Sequence, residues 1–143
     1  MHAAKTYGTG EKVILSVEDD PACYEILEMA FRQVGGNLRL YRVENGEEAL
    51  NFLRGSPEYS DAPKPHLILL NINLPMISGF EVLQAIKDNP ALASIPAVVF
   101  SSSDLDRDKA KCLALGARDF VTKPSDFDEF VKRLRYACSL TLG

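Results

Sequence analysis

The chain is poor in the residues that build disulfide, zinc and membrane proteins. It has three cysteines, Cys23, Cys112 and Cys138, odd in number, far apart and with no CxxC pair. That pattern excludes a disulfide framework and a zinc ribbon, and leaves reduced thiols serving as small apolar filler. Its two histidines, His2 and His66, are too few and too scattered for a zinc site or a nucleophile–base pair. No apolar run approaches the ~20 residues of a spanning helix, and residues 1–12 lack the apolar core of a signal peptide. A membrane protein is therefore not expected, and a cytoplasmic location is. Basic residues are not in excess either. Sixteen Lys and Arg against twenty Asp and Glu give a net charge of −4, so the chain has no electrostatic reason to wrap a phosphate backbone and a nucleic-acid-binding module is not expected. Internal repeats, low-complexity tracts and interdomain linkers are also lacking.

What is present is an ordinary globular composition, 46% hydrophobic and 25% charged over 143 residues, enough for one domain with a substantial core. Five short apolar runs alternate with amphipathic stretches: Val13–Val17, Leu38–Val43, Leu67–Leu70, Ala97–Phe100 and Phe120–Thr122. The first, third and fourth are nearly continuous in apolar residues, as strands buried on both faces should be. The second carries Arg39 and Arg42 and suits an edge strand.

Helix signals fill the gaps. Asp20-Pro21 reads as N-cap and first helical residue, followed by a stripe of Cys23, Ile26, Leu27, Ala30, Phe31 and Val34 that ends at Gly35-Gly36. Asn45 with Glu48, and Ser78 with Glu81, place a cap and its acidic partner three apart. The third helix should stop before Asn89-Pro90. A fourth is expected from about Asp104 to Leu115, and a fifth from Ser125 with Phe127, Phe130, Val131, Leu134 and Cys138 inward and Tyr136 outward. Strand–helix alternation with short connections predicts a doubly wound (βα)5 domain with a parallel sheet covered on both faces.

Ligands of such sheets bind beyond the carboxyl ends of the strands. There the sequence places Glu18-Asp19-Asp20, Asn71-Ile72-Asn73, Ser101-Ser102-Ser103 and Lys123-Pro124. Each has a plain explanation taken alone, as a helix-dipole partner, a loop or a turn. Their convergence on one rim favours a site.

In these segments the chain resembles the receiver domain of two-component response regulators. The resemblance runs from Val13 to about Ala137. It is carried by residues 14–21, Asn45-Gly46-Glu47-Glu48-Ala49-Leu50, residues 67–75, residues 96–101 and residues 116–124. The long loop from Pro57 to Pro65 resembles the stand-alone, phytochrome-associated subgroup. The fold this implies is flavodoxin-like, a five-stranded parallel sheet in the order 2-1-3-4-5. Residues 1–11 would be an N-terminal extension and residues 12–143 a single receiver domain with no room for an output domain.

The resemblance also assigns roles. Glu18 and Asp19 match the acid pair that holds Mg²⁺, with the Asn73 carbonyl as a further oxygen ligand. Ser101 matches the switch hydroxyl, Phe120 the switch aromatic, and Lys123 the lysine that pairs with the phosphoryl oxygens, its bond to Pro124 being expected in the cis form. For Phe120 core packing is the reading its own residue type favours. For Lys123, at the apolar end of a strand, a functional partner is favoured. The departure is Asn71, which stands where the family has the aspartate that becomes the acyl phosphate. A carboxamide is neutral and is no nucleophile toward a phosphodonor. It also removes a charged ligand from the metal set Glu18, Asp19, Asn71 and Asn73, so Mg²⁺ is expected to bind weakly. Either the protein is a natural pseudoreceiver or an aspartate has been replaced to freeze the unphosphorylated state.

The expected function is signal transmission by protein–protein contact in a phosphorelay, without enzymatic activity. A sensor histidine kinase of phytochrome type is the implied partner. The face of the fourth helix, fifth strand and fifth helix is the implied homodimer surface, with Tyr136 near its centre. A Mg²⁺-dependent phosphohydrolase on a similar sheet is the alternative. It would need acids where Asn71 and Asn73 stand.

Overall fold

A computed structural model describes residues 4–102, 105–123 and 126–142; of residues 140–142 only the backbone is described. Ser103, Asp104, Pro124 and Ser125, singled out above, lie outside these residues, as does the expected cis bond.

Among the described residues there are six strands and five α-helices, which alternate from the second strand onward. The strands are β1 (Lys5–Tyr7), β2 (Lys12–Val17), β3 (Leu38–Val43), β4 (Leu67–Leu70), β5 (Ala97–Ser101) and β6 (Asp119–Thr122). The helices are α1 (Pro21–Val34), α2 (Gly46–Arg54), α3 (Gly79–Asp88), α4 (Asp106–Ala114) and α5 (Phe127–Leu142), with a 3-10 turn at Pro57–Tyr59.

The sheet order is β1-β3-β2-β4-β5-β6. This corrects the expected five-stranded sheet by one strand. Strands β2 to β6 pair in parallel as foreseen, while β1 adds antiparallel to β3, with Lys5 opposite Leu40 and Tyr7 opposite Leu38. β3 is therefore not an edge. Residues 5–7 of the expected extension belong to the sheet, pinned by the Tyr7 hydroxyl, which donates to the Glu28 carbonyl at 3.1 Å. A three-residue strand of Lys-Thr-Tyr has too little apolar periodicity to be seen in sequence.

Alternation along each strand sends side chains to two cores. Val13, Leu15, Val17, Ile68, Leu70 and Val99 face α2, α3 and α4. Ile14, Leu40, Leu67, Leu69, Val98 and Phe100 face α1 and α5. The caps form as their residue types dictate. Asp20 accepts from the Ala22 N–H, Asn45 from the Glu48 N–H, and Ser78 and Glu81 complete a reciprocal capping box. Two stripe residues are corrected: Ile26 (47% exposed) and Phe127 (36% exposed) lie at the margins of their buried faces.

Candidate functional site

Because β2 and β4 are neighbours, the residues that follow them are brought side by side. Glu18 continues the ladder for one residue, its N–H donating to the Val43 carbonyl at 3.0 Å, and the Asn71 N–H donates to the Val17 carbonyl at 3.2 Å. Lys123 is fixed at the end of β6 by its N–H to the Ser101 carbonyl at 2.7 Å. Three residues far apart in sequence thus meet at one rim.

Their side chains form a closed network. The Glu18 carboxylate is buried. The Lys123 ammonium donates to its Oε1 at 2.8 Å, and the Asn71 amide nitrogen to its Oε2 at 3.1 Å. The Asp20 N–H is the carboxylate's third donor, to Oε2 at 3.3 Å. The remaining amide atom is used too, since Asn71 Oδ1 accepts from the Asn73 N–H at 3.2 Å. A carboxylate leaving water needs this many partners.

Neighbouring groups set the electrostatics. The Ala22 N–H, and then the Cys23 thiol at 3.4 Å, hold the exposed Asp20 carboxyl below its usual range. Burial pushes the Cys23 thiol up. Cys23, Glu18, Asn71 and Lys123 line a cavity of about 30 Å³ with Ser16, Phe100 and Phe130. That is room for a water molecule.

The other expected site residues are placed as follows. Asp19 is exposed beside Glu18, and Asn73 is exposed on the β4–α3 loop. Ser101 is fully buried at the end of β5. Phe120 packs, partly buried, against the α2–α3–α4 core.

Two contributors escaped the sequence reading. Arg42, noted there only as a polar interruption of β3, donates Nε to the Glu18 carbonyl at 3.1 Å and Nη2 to the Asp19 carbonyl at 3.3 Å. Its guanidinium lies over the Tyr24 ring, 5.0 Å from the centroid. Arg42 is thus the clamp on the acid loop, and only tertiary structure could show it. Gly79 is the second. A Cβ there would stand 2.7 Å from the Asn71 carbonyl oxygen and 2.6 Å from Ile72 Cα, so the start of α3 can lie against the site only as glycine. The Gly directly after the Ser78 cap was the available signal.

A doubly wound sheet whose carboxyl rim gathers acids, a carboxamide, a buried serine and a lysine defines the receiver class of signalling domains. The chain belongs to the response regulator receiver domain family, whose sequence model matches residues 14–135, and so to two-component signalling. It is 35% identical to the response regulator Rcp1 of Synechocystis sp. over 87% of this chain and 84% of that protein. Among solved structures it is similar to the phosphorylated cyanobacterial phytochrome response regulator RcpA. The TM-score there is 0.85 at 32% identity, over 92% of this chain and 94% of that one. It is similar also to the Mn²⁺-bound form of Rcp1, with a TM-score of 0.82 at 34% identity, over 90% and 92%.

Receiver domains of this family bind Mg²⁺ or Mn²⁺, but the residues here, as arranged, do not fit a divalent ion. Both oxygens of Glu18 are taken by donors of the chain, and Asn71 presents a hydrogen to it instead of a charge. Among the described residues no cluster of three or more His, Cys, Asp or Glu has metal-holding geometry. Nor is any helix among them long and apolar enough to cross a membrane.

Proposed function

We propose that this protein is a stand-alone receiver that works as a pseudoreceiver, transmitting signals by contact and not by carrying an acyl phosphate. The observation behind this reading is the Asn71 amide. Its nitrogen faces the Glu18 carboxylate, so the group that would have to be an anionic nucleophile is a hydrogen-bond donor. A carboxamide oxygen is neutral and forms no stable phosphoryl adduct. Mg²⁺ binds weakly for the same reason, with one charged oxygen ligand fewer.

The similarity to phytochrome response regulators supports a sensor histidine kinase of that type as partner. In this reading the elements α4, β6 and α5 form the dimer face. Tyr136 stands 59% exposed on α5, where its ring could be covered by a second copy. A cytoplasmic site of action follows from this role.

The test is intact mass spectrometry after incubation with acetyl phosphate and Mg²⁺. No phosphoryl adduct is expected on the protein as it stands, and an adduct on any rim aspartate would overturn the reading. Asn71→Asp is expected to gain both the adduct and tighter Mg²⁺ binding.

A further inference from the structure

A divalent ion at a receiver rim has two physical tasks. It neutralises clustered carboxylates, and it ties together the loops that carry them. In this chain side chains perform both tasks around Glu18. Lys123 places its ammonium 2.8 Å from Glu18 Oε1, neutralising the buried carboxylate of the rim. Asn71 ties the loops, since one amide donates to Glu18 after β2 and accepts from the Asn73 N–H after β4, at 3.1 and 3.2 Å. Arg42 secures the acid loop from its other side by binding the Glu18 and Asp19 carbonyls.

The amide is essential to this arrangement. A carboxylate in its place would oppose Glu18 Oε2 with no hydrogen between the two oxygens, and like charges at that distance demand a cation. We propose that the Lys123 ammonium and the Asn71 amide replace the divalent ion as the structural tie of the acid rim, holding the domain in one metal-indifferent state. The proposal rests on the reading of Asn71 as the neutral member of the site, and goes beyond it by assigning Lys123 the ion's task.

Thermal unfolding of the full chain in EDTA and in millimolar Mg²⁺ tests it. The unaltered protein is expected to melt at the same temperature in both. Lys123→Met is expected to melt roughly 5–10 °C lower in EDTA, because a buried carboxylate loses its counter-charge. Mg²⁺ should then restore most of that loss, since the freed Glu18 oxygen becomes a ligand. A melting temperature of the unaltered protein that rises with Mg²⁺ overturns the proposal, as does a Lys123→Met deficit that Mg²⁺ leaves untouched. If Lys123→Met does not fold in either buffer, Mn²⁺ titration of the unaltered chain followed by electron paramagnetic resonance decides. An undiminished free-Mn²⁺ signal supports the proposal, and stoichiometric loss of signal overturns it. None of these readings involves phosphoryl transfer, so an acyl phosphate on the parent would sink the pseudoreceiver reading separately.

Discussion

Helices α4 and α5 flank the last strand, yet they are anchored very differently. α5 buries Phe130, Val131, Leu134, Ala137 and Cys138, and the ring of Phe130 meets Phe100 edge-on at 5.7 Å. α4 buries Cys112 alone and leaves Leu113 51% exposed. Much of what holds α4 to its neighbour α3 is at the surface, with the Lys111 ammonium over the Phe80 ring at 4.2 Å and the Lys87 ammonium on the Ala114 carbonyl at 3.1 Å. Apolar burial is the dominant stabilising term and surface cation contacts are worth little. So α5 is seated on the sheet by apolar burial, whereas α4 can shift at smaller cost.

The contrast is broken most directly by truncating the deepest side chain of each helix. Leu134→Ala, in α5, is expected to cost about 3 kcal/mol. Cys112→Ala, in α4, should cost about 1 kcal/mol. Denaturant unfolding measures both, and equal losses would show that α4 is as firmly seated as α5.

The buried thiols sharpen the comparison through pH. Burial pushes Cys112 and Cys138 up from 9.0 to about 11. Their folded-state values lie above the unfolded ones, so the stability they contribute is fully present below about pH 9. It is lost as pH rises through about 11. Replacing both with alanine should flatten the stability profile across that window.

At neutral pH the labelling rates of the same two buried thiols report how often each opens to solvent. A thiol reagent should modify half-buried Cys23 first, Cys112 next and Cys138 last. Labelling of Cys138 before Cys112 would reverse the assigned order of stability.

A smaller effect is expected in the β4–α3 loop. Met76 sits at φ +71° and is 72% exposed. Met76→Gly should relieve that left-handed strain and raise stability by about 0.5–1 kcal/mol. The smallest change in stability, within about 0.5 kcal/mol, belongs to Tyr136→Glu on the outer face of α5. Light scattering over a concentration series should nevertheless show weaker self-association for that variant. A monomer at every concentration for the parent would remove Tyr136 from the dimer surface.

Much of this molecule was legible without coordinates. The nearly continuous apolar runs Leu67–Leu70 and Ala97–Phe100 read as strands buried on both faces, and the caps Asp20, Asn45 and Ser78 start helices through bonds to residues two or three further on. Such signals are local, so they survive in a linear string. The rim was legible as a set of residues because every parallel strand ends on the same side. Tertiary structure alone decided the rest. It showed that β1 closes the sheet beyond β3, that Ile26 and Phe127 fall just outside their buried stripes, and that Arg42 clamps a loop 24 residues away. It also decided that Lys123 reaches Glu18 across 105 residues of chain. These depend on which strands lie side by side and how far a long side chain extends, and no sequence spacing encodes the distance between two strand ends.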